Sequence, residues 1–368
     1  MFMENYSVYL PCYSIGSDVY GKIPGICRPY GRRIAAIGGH KAIASAREAL
    51  LAAVSGSDLE ILDFLWYGGE ATYENVAALA ASPIVQQADM IFGIGGGKAT
   101  DTAKCLADSL GKPVFTFPTI ASNCSATTSV SIMYHPDGSF LKPHFFERPP
   151  IHAFIQTSII AKSPSRYMWA GIGDTYAKHF ESTISARGED PVHYVALGVG
   201  MSSLCYEPLM IYGAQALADQ DEGKATYAFE QTLLSIIVTT GIVSNLVTKE
   251  HIIDYNTGLG HAVYYALTSF PHIEEGHLHG ELVAFGILLL LLVDGQRETF
   301  ERVYAFNERV KLPTCLQDVE ITEEDLPAVI AKAVSMKDIE HNPYPITEEM
   351  LLKAVGELMA YHDSRQPA

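Results

Sequence analysis

The chain has 368 residues, 48% of them hydrophobic, which is enough to bury two cores and long for a single one. A formal net charge of -17 with no lysine or arginine run argues against nucleic acid and anionic membranes as partners and leaves a small molecule. The six cysteines, Cys12, Cys27, Cys105, Cys124, Cys205 and Cys315, form no CxxC pair, which argues against a disulfide framework and a thiolate zinc site.

Met1-Phe2-Met3-Glu4-Asn5 has no basic leader region, and the apolar run Leu282 to Val293 falls short of the roughly 20 residues that cross a bilayer, so a cytoplasmic location is expected. Strand-like runs at Arg33–Ile37, Ile61–Tyr67, Asp89–Phe92 and Pro113–Phe117 alternate with helix formers at Ala42–Val54, Thr72–Ala81 and Thr100–Leu110. Strands apolar on both faces in a βαβ rhythm predict a doubly wound, Rossmann-like parallel sheet, with its ligand outside the carboxyl ends of the strands.

The fourth element of that rhythm leads into Gly93-Ile94-Gly95-Gly96-Gly97-Lys98-Ala99-Thr100-Asp101. Glycines between a strand and a helix let backbone amides approach a pyrophosphate, and the helix N-terminus favours its charge. Ala99 replaces the hydroxyl residue of a Walker loop, and Lys98 falls where G-x-G-x-x-G would place its last glycine. A tight turn is the bland alternative; three adjacent glycines, costly to order, favour nucleotide binding.

After Ile160 the alternation stops. Ser163-Pro164-Ser165 carries helix-start signals, and helices are predicted near 165–186, 193–217, 224–247, 258–269, 280–293, 295–310, 324–335 and 347–361. The expected division is an α/β dinucleotide-binding domain over 1–162 and an all-α metal and substrate domain over 163–368.

Asp174, His261 and His279 are the candidate metal ligands of the helical half. A carboxylate and two imidazoles suit one divalent transition metal and leave positions open for a substrate oxygen. On a helix, Asp174 would share its face with Ala170, Gly171, Ala177 and Lys178, and the competing reading is an i,i+4 ion pair with Lys178. Four histidines, His261, His272, His277 and His279, fall within nineteen positions, and Pro271 forces His261 and His279 onto different elements. Residue chemistry alone does not choose His279 over His277, nor does it exclude non-haem iron or hydrolytic zinc chemistry; the absence of HExxH counts against the hydrolase.

These segments resemble the glycerol dehydrogenase branch of the iron-containing (group III) alcohol dehydrogenase family over nearly the whole chain. Gly93 through Lys104 is similar to its pyrophosphate loop, Pro118-Thr119-Ile120-Ala121-Ser122 and Ser131-Ile132-Met133-Tyr134 to its nicotinamide side, and Gly171-Ile172-Gly173-Asp174, His261-Ala262-Val263 and His279-Gly280-Glu281 to its metal segments. The spacing of eighteen between the histidines agrees, and through the resemblance it selects His279.

The resemblance implies a dehydroquinate synthase-like fold and reversible hydride transfer between a small alcohol or hydroxy acid and NAD or NADP. It also implies one divalent metal (Zn²⁺, with Fe²⁺ or Mn²⁺ as alternatives) and a homo-oligomer. By the same resemblance Asp174, His261 and His279 are the catalytic metal site, and Gly95, Gly96, Gly97, Lys98, Asp101, Thr119, Ser122, Thr128 and Tyr134 contact the dinucleotide. Three departures concern specificity. Cys124 stands where glycerol dehydrogenases carry a substrate aspartate, which makes 2-oxo acids and an NADPH-dependent reductase the alternative. Tyr264 replaces a second histidine. Gly39, followed by His40 and Lys41, stands where an aspartate often meets the adenosine ribose of NAD, so NADP(H) is expected to be accepted. His272 and His277 are candidates for a proton relay. A sugar-phosphate cyclase and a non-redox metal-binding protein are the rival readings.

Overall fold

The computed structural model describes residues 5–365; Met1–Glu4, four of the five residues read above for a basic leader region, lie outside that range. Two compact units are present, one made of residues 1–165 and 218–245, the other of 166–217 and 246–368.

The first unit is built on a six-stranded parallel sheet in the order β1-β8-β5-β4-β2-β3, with β1 (Tyr13–Gly16), β2 (Arg33–Gly38), β3 (Glu60–Trp66), β4 (Met90–Gly95), β5 (Val114–Pro118) and β8 (His152–Gln156). Strand periodicity explains why it is covered on both sides. Ile34 and Ala36 of β2 point into one core with Leu50 and Val54 of the helix His40–Val54, while Ala35 and Ile37 point into another with Ala103 and Leu106 of the helix Gly97–Leu110. Each buried leucine of these faces contributes about 1.5–3 kcal/mol. β2 pairs with β3 on one side and β4 on the other, so the winding reverses between β2 and β4. Their carboxyl ends, Gly38 and Gly95, flank the switch point, the position at which open α/β sheets bind ligands.

The four strands expected from the alternation are present within one or two residues at most ends, although β4 runs on to Gly95. The helix after it starts at Gly97, three residues before the expected Thr100, because the Thr100 N–H already bonds the Gly96 carbonyl at 3.1 Å. Not anticipated were the short strands β1 and β8 and the antiparallel ribbon of β6 (Val130–Tyr134) and β7 (Phe140–Phe145). Pro143 within β7 and the brevity of β1 mask their strand character.

Residues 218–245, expected in the helical half, belong to the first unit instead. The physical cause is polar. A π-helical stretch, Leu234–Thr239, interrupts the regular ladder, and the Ile237 carbonyl accepts from the Thr127 hydroxyl. The Asn245 side chain accepts from the Ser129 amide at 2.7 Å and donates to the Thr127 carbonyl at 2.9 Å.

In the second unit, all-helical among the described residues, the helix Arg166–Ser185 packs against His279–Val293, which also contacts Leu259–Leu267. The short helix Pro271–Gly276 separates the two histidine helices, with Pro271 at its first position. The predicted 193–217 helix is broken at Ser202–Cys205 into His193–Met201 and Glu207–Asp221. Two stretches, His193–Asp221 and Tyr227–Val247, are long and apolar enough to cross a membrane by length and composition; the second is 72% buried, as a core helix is.

Candidate metal centre and nucleotide loop

Asp174 sits midway along Arg166–Ser185, His261 in the first turn of Leu259–Leu267, and His279 at the start of His279–Val293. One ligand atom from each lies within 4.8 Å of the others. The Asp174 carboxylate is 3.4 Å from His279 Nε2 and 3.7 Å from His261 Nε2.

Glycines make this convergence physically feasible. A Cβ on Gly280 would strike the Ala170 carbonyl, one on Gly173 would strike the Gly280 carbonyl, and one on Gly286 would stand 2.5 Å from the Gly260 carbonyl. The three helices therefore touch backbone to backbone, and each ligand is the immediate neighbour of one of these glycines. The small face around Asp174 is filled by the His279 helix. Lys178 does not pair with the aspartate: its ammonium bonds the Asn256 carbonyl and, at 2.7 Å, the Asn256 Oδ1.

Burial alone would raise the Asp174 pKa, but hydrogen bonds from His261 and His279 and their charge hold it far below the usual carboxylate range. Burial disfavours the charged His261 ring, yet Glu181 and Asp174 together push its pKa up to about 10. Asp174 is thus held as a carboxylate, while His261 keeps a proton that a cation would displace. Two nitrogens and one carboxylate oxygen, mutually close and buried or half-buried apart from His279, fit a divalent transition metal by the chemistry of the donor set.

Glu181 was not anticipated. Its side chain is fully buried; Oε2 accepts from His261 Nδ1 at 2.7 Å, and Oε1 accepts from the backbone N–H of Gly258 at 2.9 Å and of His261 at 3.0 Å. The sequence held a signal: Glu181 lies seven residues after Asp174, two turns along the same face. Tyr264 packs edge-on against His279, ring centroids 4.3 Å apart, and burial drives its pKa up to about 12. His277 turns to Glu281, whose carboxylate it meets at 2.8 Å, and His272 sits on the Pro271–Gly276 helix beside Phe270, so neither joins the cluster.

In the first unit, Gly95 ends β4, Gly96 caps the following helix and Gly97 opens it. No side chain caps that helix and its first turn holds no acid, so its N–H groups point to a site suited to an anion. Thr119 is tied to this turn, its N–H 3.3 Å from the Gly95 carbonyl. A Cβ on Gly96 would meet Ile120 at 2.5 Å and one on Gly97 would meet Asn123 at 2.7 Å, so the segment bearing Ser122 lies directly over the glycines.

Lys98 is ion-paired with Glu70, and its ammonium lies 5.3 Å from the Tyr134 ring. Asp101 and Thr128, expected at the dinucleotide, also join an internal network. Asp101 is buried, meets Lys104 Nζ at 2.9 Å and accepts from the Ile132 N–H at 3.1 Å, while the Thr128 hydroxyl is 3.3 Å from the same ammonium. Gly39 caps the helix His40–Val54, with exposed His40 stacked on Trp66 and exposed Lys41 in the first turn, which holds no acid. Cys124, half-buried, precedes the single turn Ser125–Thr127.

Comparison with known proteins agrees with this architecture. The model of the iron-containing alcohol dehydrogenase family matches residues 11–154. A glycerol dehydrogenase of Thermotoga maritima is 35% identical over 309 residues, 82% of each chain, and hydroxycarboxylate dehydrogenase A of Escherichia coli K12 is 30% identical over 328 residues, 88% of each. The crystal structure of a probable glycerol dehydrogenase from Sinorhizobium meliloti superposes with a TM-score of 0.81 at 25% identity, covering 98% of this chain and all of that one. The chain belongs to the iron-containing alcohol dehydrogenase family, in its glycerol dehydrogenase-like branch. It is accordingly a metal-dependent, NAD(P)-linked alcohol oxidoreductase.

Proposed function

We propose that the chain transfers hydride reversibly between a small alcohol or hydroxy acid and a nicotinamide dinucleotide, at a metal held by Asp174, His261 and His279. The observation that carries this is the convergence of those three ligand atoms within 4.8 Å. A bound divalent ion, Zn²⁺ first and Fe²⁺ or Mn²⁺ as alternatives, would supply Lewis-acid stabilisation of charge developing on the substrate oxygen.

The chain's own groups do the rest. Asp174 adds a compensating negative charge, and Glu181 fixes the His261 ring. Amides of Gly95, Gly96 and Gly97, with the helix N-terminus, receive the pyrophosphate, and Lys98 leaves Glu70 to approach it. Thr119, Ser122 and Tyr134 flank the nicotinamide and its ribose, while Gly39 and Lys41 receive the adenosine ribose and tolerate a 2′-phosphate. The protein acts as a cytoplasmic homo-oligomer. A second reading, a reductase of 2-oxo acids, is favoured by Cys124: a neutral thiol spares an anionic substrate the repulsion of a carboxylate.

The test is absorbance at 340 nm with NADH and NADPH against glycerol, short diols, 2-hydroxy acids and their carbonyl partners, with each metal supplied in turn. Activity lost in Asp174→Ala together with bound metal is expected. Silence across the panel with metal retained would make this a non-redox metal-binding protein.

A further inference from the structure

Glu181 holds both the ring and the backbone of a single residue, His261. Its Oε2 takes the Nδ1–H bond at 2.7 Å, and its Oε1 takes the first-turn N–H groups of Gly258 and His261 at 2.9 and 3.0 Å. Those two amides belong to the cap and third residue of the helix Leu259–Leu267, whose cap, Gly258, offers no side chain. The carboxylate therefore replaces the missing capping group from another helix and binds the imidazole two turns from Asp174.

Glu181 is an expensive residue for this place. Its side chain is fully buried, no Lys or Arg pairs with it among the described residues, and three donors are what keep the carboxylate in solution-like company. A glutamine or a serine would cap the helix at lower cost. What a carboxylate adds is exclusive acceptor character: only Nδ1–H satisfies it, so Nε2, on the Asp174 side of the ring, is the nitrogen left to exchange its proton for a metal. Gly258 and Gly260 complete the cradle, for a Cβ on Gly260 would come within 3.0 Å of Glu181 Oε1.

We propose that Glu181 is the positioning residue of the metal centre, fixing the tautomer and direction of His261 so that Nε2 is presented as a ligand. The inference rests on the proposed metal site and deepens it. Hydrogen-bonded partners of this kind are worth about 10- to 100-fold in metal affinity.

The test separates tautomer control from helix capping. In Glu181→Gln the amide oxygen still accepts the two backbone N–H groups, but its NH₂ faces Nδ1, which must then accept, so the proton moves to Nε2 and blocks it. Zn²⁺ affinity, measured by competition with a chromophoric chelator, is expected to fall about 10- to 100-fold, with little change in melting temperature of the metal-free protein. The ¹⁵N shifts of the His261 ring, read where the ring is neutral, are expected to exchange their pattern between the two nitrogens. Glu181→Asp, which keeps the charge but shortens the reach, serves where the glutamine variant folds poorly, and a smaller loss of affinity is expected from it. Zn²⁺ affinity within twofold of the parent in Glu181→Gln, or an unchanged ring tautomer, overturns the proposal. If the parent chain binds no Zn²⁺, or binds it equally well in Asp174→Ala, the underlying metal site fails first, and that outcome is read before any Glu181 variant.

Discussion

Replacing Gly39 by aspartate tests the reading of cofactor choice with little disturbance of the fold. Gly39 has φ -77° and ψ 151°, an extended conformation open to any residue, and a Cβ there would have Tyr67 Cε1 at 3.5 Å as its nearest neighbour. It is also the cap of the helix His40–Val54 and has no side chain to offer, so an aspartate should add a few tenths of a kcal/mol through its own capping bond. Any change in cofactor use would then reflect charge.

The magnitude follows from Coulomb's law. A carboxylate about 5 Å from a 2′-phosphate, at an effective dielectric of about 40 to 80, is repelled by about 0.8–1.7 kcal/mol per unit of charge. With about 1.5 to 2 charges on the phosphate, the penalty on NADPH is about 1.2–3.4 kcal/mol, or about 10- to 300-fold in KM. A bond from the 2′-hydroxyl of NADH to the new carboxylate adds about 0.5–1.5 kcal/mol in the other direction. Initial rates at 340 nm across a concentration series of each dinucleotide give the two kcat/KM values, and the melting temperature confirms the fold. An NADH to NADPH ratio moving less than twofold, in a variant as stable as the parent, refutes the assignment of Gly39 and Lys41 to the ribose site.

Two further outcomes follow from buried groups. Asp101→Asn removes the buried partner of Lys104 and should cost about 3–5 kcal/mol in urea unfolding, with KM for the dinucleotide changed far less than stability; a selective rise in KM at full stability would restore Asp101 to the nucleotide site. Gly280→Ala places a methyl group on the Ala170 carbonyl, so the two helices must part; a loss of about 1–3 kcal/mol and of stoichiometric metal is expected, measured by thermal melting and metal analysis, and an unperturbed variant would contradict the close packing.

The legible parts of this fold are those where one local rule acts alone. The strands Arg33–Gly38, Met90–Gly95 and Val114–Pro118 read clearly because both faces are buried, so apolar runs need no phase, and the expected parallel sheet is the one observed. The helices from Arg166 onward read from length and punctuation, with Pro271 dividing the histidines as its missing N–H requires. The path of 218–245 was illegible, because a π-helical stretch and one asparagine decide it, and neither has a sequence period. Asp101 and Thr128 were assigned to the dinucleotide by similarity; what that likeness did not reveal is the buried Lys104 ammonium, 2.9 Å from the Asp101 carboxylate and 3.3 Å from the Thr128 hydroxyl. Glu181 shows the remaining limit most clearly. Its spacing from Asp174 puts the two carboxylates on one face, but a buried acid on a helix has no stated purpose until the residue opposite it is known. That residue, His261, lies eighty positions away, and only close packing of the helices, permitted by Gly260 against Gly286 and Gly173 against Gly280, brings the two into contact. Chemistry-bearing residues were thus readable as types, whereas their pairing depends on glycines whose role is to be small beside another backbone.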